Sequence, residues 1–328
     1  MSQLLDVLLL TALPASGKSE VRKYLASLTA DECRDGFHLG PTVQLDDYPY
    51  VHLMRSVSQA LLSRGEDGVF FDSDERPMKE PLDWGALVHL INEDFDDLVL
   101  HRRPEPASAA NWMLERFDRA RIRVGAPPAF RQMAGELRAF VAESIRKEAE
   151  ELLAGKNAGA PASLEGKTVV IEFARGGKQG STMPLAPPYG YRYAFSQLSE
   201  ALLSRSSVLY VWVTPEESRR KNVERADPGK AEASNKHLSL HHGVPEAVML
   251  GEYGCDDLAW LVETSDRPDT VRIEAHGKTF HVPVARFDNR VDKTTFARGD
   301  PATWRPEAVQ LLHDGLAEAF AKLAAARG

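Results

Sequence analysis

Apolar runs alternate along this chain with longer segments in which apolar positions recur at helical spacing. Continuous apolar runs predict buried strands over residues 7–10, 168–172 and 208–213, and a shorter strand over 41–47 ends in two carboxylates. Helical periodicity or capping residues predict helices over residues 16–28, 83–101, 107–154, from 215 onward and 306–325. Because strands alternate with helices, we expect an α/β fold with a doubly wound, mainly parallel sheet.

The chain divides into a sheet-forming core and a helical insert. We expect residues 1–50 and 164–328 to form the core and residues 51–163 to form a mainly helical insert that shapes one side of a pocket. A turn-rich stretch, KNAGAP at 156–161, predicts the linker that ends the insert. Near the C-terminus, residues 271–274 and 279–287 predict a hairpin or strand pair around a Gly-containing turn.

A loop of small residues, ALPASGKS at 12–19, stands between the first strand and the first helix. In such a loop successive backbone N–H groups wrap phosphate oxygens, and the helix N-terminus adds its positive dipole end. Lys18 would reach the β- and γ-phosphates, and the Ser19 hydroxyl would ligate Mg²⁺. The pattern asks for glycine where this chain has Ala12, whose methyl group crowds the turn if φ is positive there. The candidate phosphate-binding residues are Leu13, Pro14, Ala15, Ser16, Gly17, Lys18 and Ser19.

Charged residues follow the other predicted strands at the edge where ligands bind in open parallel sheets. Asp46 and Asp47 end the second strand, Glu172 ends the third, and a run of cations follows the fourth. Phosphoryl transfer needs a carboxylate for the acceptor hydroxyl, carboxylates for hydrated Mg²⁺, and cations for the transferring group. The cations are Arg219, Arg220, Lys221 and Arg225.

These motifs resemble one branch of the P-loop kinases, that of uridine kinase, nicotinamide riboside kinase and pantothenate kinase. The resemblance rests on Asp46-Asp47-Tyr48, on Glu172 at a strand end, on the arginine-bearing helix and on Pro81-Leu-Asp-Trp before a helix. It implies P-loop NTPase topology of the nucleotide-kinase type, with ATP and Mg²⁺ as cofactors. It also implies a small-molecule hydroxyl acceptor such as a nucleoside.

The resemblance further implies a role for each site residue. Lys18, Asp46, Arg220 and Arg225 would be catalytic, with Asp46 as the base for the acceptor hydroxyl. Ser19, Asp47 and Glu172 would lie at the metal. A lid over about 214–250 would carry Arg219, Arg220 and Arg225 over the triphosphate, and Asn289, in the loop after the last strand, would lie at the nucleotide base.

Other interpretations stay open at this stage. Asn289-Arg-Val-Asp292 is close to the guanine-reading Asn-Lys-x-Asp of GTPases, which suggests a GTPase or NTP-driven switch. A non-catalytic nucleotide-binding module is a further possibility, and a polynucleotide 5′-hydroxyl kinase would also place an aspartate after the second strand. The acidic pair could instead cap a turn, the arginines could form a solvated helix face, and Arg175 could be either exposed in a tight turn or in contact with an anion.

Composition narrows the class of partner. The 328-residue chain carries a formal net charge of −8, which argues against a broad nucleic-acid-coating surface. Its two cysteines stand in unrelated contexts and suggest neither a disulfide framework nor a metal site. No apolar run approaches the roughly 20 residues of a membrane span, and we expect no signal peptide and a cytoplasmic protein. The oligomeric state is not predicted.

Overall fold

A computed structural model describes residues 4–226 and 243–327. The strands are β1 (Val7–Thr11), β2 (Thr42–Asp46), β3 (Thr168–Phe173), β4 (Ser206–Trp212), β5 (Thr270–Ala275) and β6 (Lys278–Asp288). The helices are α1 (Lys18–Ala26), α2 (Ala30–Phe37), α3 (Tyr48–Leu62), α4 (Asp83–Val99), α5 (Ala109–Arg123), α6 (Gly135–Ser144), α7 (Arg146–Gly159), α8 (Gly190–Ser196), α9 (Glu200–Leu203), α10 (Pro215–Ala226), α11 (Glu246–Gly251), α12 (Leu258–Glu263) and α13 (Pro306–Ala325).

The strands form one six-stranded sheet in the order β2-β3-β1-β4-β6-β5. All neighbouring pairs are parallel except β5 with β6, which form an antiparallel hairpin at one edge. His276 and Gly277 join the hairpin strands with φ values of 53° and 70°, the left-handed conformation that a two-residue hairpin turn favours. The predicted α/β class and mainly parallel sheet are therefore confirmed.

Helices cover both faces of the sheet, and β1 is accordingly buried throughout and apolar from Val7 to Leu10. Val7 and Leu9 face a core to which α4, α8, α9 and α12 contribute. Leu8 and Leu10 face the opposite core, which α1, α2 and α13 cover. A continuous apolar run of this kind is typical of a strand buried on both sides.

The segment predicted as an insert is helical, and α3 to α7 form a core together with Leu13, Val213, Val248, Met249 and Tyr253 of the rest of the chain. Its helix α4 also packs against the sheet, so the insert and the sheet share one helix. The turn-rich linker predicted over 156–161 is wrong for most of its length, since α7 continues to Gly159. Lys156 Nζ lies 3.0 Å from Asp94 and 2.9 Å from Asp97, and these ion pairs hold the end of the helix against α4.

Within the parts of the chain that the structure describes, no helix combines the length and the apolar character that a membrane span requires.

Candidate functional site

The loop between β1 and α1 has the conformation that its small residues permit. Gly17 precedes α1 with φ 103°, and a Cβ atom there would lie 2.4 Å from Thr294 Oγ1 and 2.9 Å from Asn289 Nδ2. Ala15 has a left-handed φ of 56°, whereas Ala12 is not among the residues with positive φ. The methyl group of Ala12 therefore does not strain the turn, and only glycine fits position 17.

Hydrogen bonds from three parts of the chain hold the loop in place. Ser16 Oγ donates to Leu13 O at 2.7 Å, and Asn289 Nδ2 donates to Ser16 O at 2.8 Å. From α10, Ser218 Oγ donates to Pro14 O at 2.7 Å. The loop is therefore fixed before any ligand binds, which lowers the entropic cost of binding.

Lys18 is buried at the start of α1, with Nζ 3.4 Å from Ala12 O. No carboxylate lies within ion-pair distance of Nζ in residues 4–226 and 243–327. Burial lowers the pKa of Lys18, and the field of Glu172 opposes that shift. A desolvated ammonium group without an ion-pair partner favours an anionic ligand.

Asp46 and Glu172 lie side by side at the ends of β2 and β3. Asp46 Oδ1 accepts a hydrogen bond from Tyr48 N at 2.8 Å. Burial raises the pKa of Asp46 to about 7, and the negative charges of Glu172 and Asp47 add to the shift. Glu172 has its own counter-ion, because Arg22 NH1 lies 2.7 Å from Glu172 Oε2.

Asp47 points to a different partner from that of Asp46. Its Oδ2 lies 2.7 Å from Arg175 NH1, and both side chains are buried. The Arg175 guanidinium also lies 5.0 Å from the ring centroid of Trp84 and 5.1 Å from that of Phe173. Of the two interpretations left open for Arg175, the exposed turn is wrong and the anion contact is an internal one with Asp47. Burial raises the pKa of Asp47, and Arg175 opposes the shift.

A second pair of arginines is organised by Glu20, in the first turn of α1. Arg298 Nε lies 2.7 Å from Glu20 Oε1, and Arg225 NH2 lies 3.5 Å from the same oxygen. Glu20 is buried, whereas both arginines line the cavity described below. Glu20 therefore holds two cations beside the loop between β1 and α1.

The structure does not bring every predicted site residue to this place. Arg220 is half-exposed and pairs with Glu217 at 2.7 Å and Glu224 at 2.5 Å on its own helix. Arg219 pairs with Glu216 at 3.2 Å, and neither arginine lines the cavity. Neither arginine therefore lies at the loop, and Arg219 NH1 is buried without a hydrogen-bond partner among the described residues, so their closure over phosphates stays a prediction. Residues 227–242 of the predicted lid lie outside the described residues.

Asn289 also has a role other than the predicted one. It is fully buried. Its Nδ2 donates to Ser16 O and Thr294 Oγ1, and its Oδ1 accepts from Lys293 N. Asp292, the other residue of the GTPase-like motif, accepts from Lys221 Nζ at 2.8 Å. These side chains brace the loop and α10, and neither lines the cavity.

One cavity of about 1670 Å³ joins these groups. Its lining includes the loop between β1 and α1 from Pro14 to Ser19, and Asp46, Asp47, Glu172, Arg22, Arg175, Arg225 and Arg298. It continues along one face of α3 to aromatic and charged residues of the insert and of the segment directly after α11, among them Arg55, Phe71, Trp84, Glu252 and Tyr253. The cavity exceeds the roughly 300–1,000 Å³ typical of a site for one small ligand.

The oxygen atoms around the loop could hold Mg²⁺ only if a bound ligand supplied further oxygen atoms. No group of three or more His, Cys, Asp or Glu side chains that could hold a metal ion occurs in the described parts of the chain. Mg²⁺ in proteins is commonly held by one or two carboxylates together with substrate phosphates and water. Ser19, Asp47 and Glu172 line the same cavity, and the repulsion that raises the pKa of Asp46 is what a cation there would relieve.

Sequence analysis did not name Arg22 and Arg298 as site residues, and only one of the two carries a sequence signal. Arg22 lies four residues after Lys18, on the same face of α1, so helical spacing could have found it. Arg298 carries no such signal, because it reaches Glu20 across 278 positions of sequence.

Comparison with known proteins adds no assignment. A scan against protein-family models found no match, and searches of curated proteins and of solved structures found none. Function is therefore inferred from the chemistry of the site.

Proposed function

We propose that this protein is an ATP- and Mg²⁺-dependent phosphotransferase that phosphorylates a hydroxyl group of a small molecule. One observation carries the proposal: the phosphate-loop residues Lys18 and Ser19 share a cavity with Asp46, Asp47 and Glu172. Phosphoryl transfer is catalysed mainly by positioning and by charge stabilisation, and this set supplies cations, donors and a candidate base.

The nucleotide phosphates belong at the loop and the N-terminus of α1. Lys18 supplies a cation to the β- and γ-phosphates, and Ser19 supplies a hydroxyl ligand for Mg²⁺, with Asp47 and Glu172 nearby. Bound Mg²⁺ would neutralise charge on the phosphates. Arg225 and Arg298 extend the positive lining, in place of the role predicted for Arg219 and Arg220.

Asp46 is the better candidate for the base that accepts the hydroxyl proton. Asp47 is engaged by Arg175 at 2.7 Å, whereas Asp46 has no cation within ion-pair distance in the described chain. Burial, with Glu172 and Asp47, raises the pKa of Asp46 to about 7 in the site without metal, and a bound cation would lower it, so Asp46 is proposed as the base from its place in the cavity and its lack of an ion-pair partner.

The sheet also supports the finer topology of a P-loop kinase. The loop follows β1, which has β3 on one side and β4 on the other, and ligands bind at such switch points. A cavity larger than one ligand needs leaves room for an acceptor beside the nucleotide. The internal roles of Asn289 and Asp292 favour a kinase over a guanine-reading switch. A cytoplasmic location and a small-molecule partner belong to the same proposal.

Titration calorimetry with Mg²⁺ and a non-hydrolysable ATP analogue tests the nucleotide site. We expect Lys18→Ala to abolish or greatly weaken binding without unfolding the chain, because the variant loses a point charge at the phosphates. Lys147→Ala is the matched control, since that side chain is exposed on α7. Equal affinity of wild type and Lys18→Ala would remove the basis of the proposal.

Acceptor-dependent ADP formation, screened over nucleosides, vitamins and sugars, tests the reaction. With an acceptor in hand, Asp46→Asn should cost about 10²–10⁴-fold in turnover, the usual contribution of a general base. Nucleotide affinity should change little, because the variant is nearly isosteric. Unchanged turnover in Asp46→Asn would exclude this residue as the base.

A further inference from the structure

The cavity continues away from the phosphate loop along one face of α3. Tyr48, Val51, His52, Arg55 and Gln59 all line it, at the spacing of residues that share a helix face. Because α3 begins directly after Asp47, this face leads away from the carboxylates at the reacting end. Arg55 stands seven residues beyond Tyr48, about 10 Å along the helix axis.

Arg55 is held in a fixed orientation by the wall of the cavity. Its guanidinium lies 4.0 Å from the ring centroid of Phe71, which is buried and lines the same cavity. Its NH1 donates to Asp74 O at 2.9 Å. The guanidinium is itself planar, and its contacts with the ring and with Asp74 O restrict the direction of that plane, so its remaining N–H donors are oriented in advance for a carboxylate or a phosphate.

The charges around Arg55 leave it without a direct counter-ion. No carboxylate oxygen lies within ion-pair distance of its guanidinium in the part of the chain that the structure describes. The Asp74 carboxylate instead accepts from Gln59 Nε2 at 2.7 and 2.8 Å. Glu252 feels the charge of Arg55, but its Oε1 accepts from Met78 N at 2.9 Å and Trp84 Nε1 at 3.1 Å.

We propose that Arg55 binds an oxyanion of the acceptor, so that the acceptor carries a carboxylate or phosphate remote from its reacting hydroxyl, on the scale of the roughly 10 Å that separates Tyr48 from Arg55 along the α3 axis. This inference rests on the proposed function for the position of that hydroxyl. The anion site itself does not, because it is a preformed guanidinium facing the cavity. Neutral alcohols of the same length lack the group that Arg55 recognises.

Titration calorimetry of the full chain without nucleotide tests the site. The probes are 8-hydroxyoctanoate, 8-hydroxyoctyl phosphate and octane-1,8-diol, which have the same chain length and differ in the terminal group. We expect the charged probes to bind wild type about ten- to a hundredfold more tightly than the diol, the range for hydrogen bonds to a charged group. Tighter binding of one charged probe identifies which oxyanion the site takes.

Arg55→Gln should abolish the advantage of the charged probes, and Arg64→Gln is its matched control. Arg64 also stacks on a ring, 3.9 Å from the Phe140 centroid, but does not line the cavity. Equal affinity for diol and charged probes, no detectable binding of the charged probes, or the same affinity in both variants would overturn the proposal.

A phosphate probe could also enter the phosphate loop. Loss of its binding in Lys18→Ala with retention in Arg55→Gln would assign it to the loop and overturn the Arg55 site for phosphate. Because no nucleotide is present, these results stand apart from the test of ATP binding. If the chain binds the charged probes through Arg55 but does not bind ATP, the proposed kinase function is refuted and the oxyanion site stands.

Discussion

Replacing Arg175 with methionine tests the buried ion pair that separates the two adjacent aspartates. Arg175 and Asp47 are both nearly inaccessible to solvent, at 4 % and 6 % exposure. Methionine keeps an unbranched apolar stem between the Trp84 and Phe173 rings and removes the charge. Asp47 is then left as a buried carboxylate without its cation.

The expected cost follows from this burial. Removing one partner of a buried ion pair costs about 3–5 kcal/mol, mainly because the other charge stays desolvated. If that reason is correct, adding Asp47→Asn to Arg175→Met removes the unpaired charge and recovers most of the loss. The double-mutant cycle should give a coupling free energy of about 2–4 kcal/mol.

The loss should also depend on pH, with a definite sign. Burial already raises the pKa of Asp47, and Arg175 opposes the shift, so Arg175→Met raises that pKa further. The pKa of an aspartate in the unfolded chain is about 4. When the pKa in the folded protein is higher, the fold loses stability as pH rises from the unfolded-state pKa to the folded-state pKa. The stability gap between wild type and Arg175→Met should therefore be small in acid and widen toward neutral pH.

Urea denaturation of the four proteins of the cycle, at about pH 5 and pH 8, measures both effects. Arg121→Met is the matched control, because Arg121 forms a buried ion pair with Asp83 at 2.5 Å inside the insert. Its loss should not be relieved by Asp47→Asn. A cost below about 1 kcal/mol for Arg175→Met, or no recovery in the double variant, would refute the reasoning.

Two further predictions concern the loop and its brace. Gly17→Ala should destabilise the fold by about 2–4 kcal/mol, because φ is left-handed there and the new methyl group meets Thr294. The control is Gly36→Ala, which has open space around it and should stabilise α2 by up to about 1 kcal/mol. Equal unfolding midpoints for these two variants would contradict this. Lys221 lowers the pKa of Asp292 to about 2, so Asp292→Asn should cost about 1–2 kcal/mol at neutral pH after allowance for its partial exposure. That gap should narrow as pH falls from about 4 toward 2, and a gap that stays constant in acid denaturation curves would refute it.

Most of the sheet could be predicted from local pattern alone. Continuous apolar runs marked β1, β3 and β4 because central parallel strands are buried on both faces, and helical periodicity gave α13 its observed bounds, Pro306–Ala325. The end of α7 was missed because residues 156–159 look turn-forming locally. Ion pairs from Lys156 to α4 decide that segment, and such tertiary contacts have no local signature.

At the candidate site, too, local features could be predicted from the sequence and tertiary contacts could not. A strand, a loop of small residues and a helix start are encoded within a few neighbouring positions, so the loop at residues 12–19 between β1 and α1 could be predicted directly, while its binding of phosphate stays a prediction. Of the arginines predicted on α10, only Arg225 lines the cavity, because a cation in a helical run can face either solvent or the site. Glutamates at i−3 and i+4 hold Arg220 on the helix surface, whereas Arg225, on the same helix, reaches Glu20 and the cavity.

The pairing of charges explains why Asp46 and Lys18 are the groups best suited to chemistry. Glu172 has Arg22, Asp47 has Arg175, and Glu20 has Arg298, each at 2.7 Å. Asp46 and Lys18 line the same cavity, and in the described parts of the chain neither has an ion-pair partner. Their pKa values shift toward the neutral forms, upward for Asp46 and downward for Lys18. In the proposed kinase, the carboxyl group that takes a proton and the ammonium group that meets a phosphate are the two for which an internal counter-ion would be a competitor.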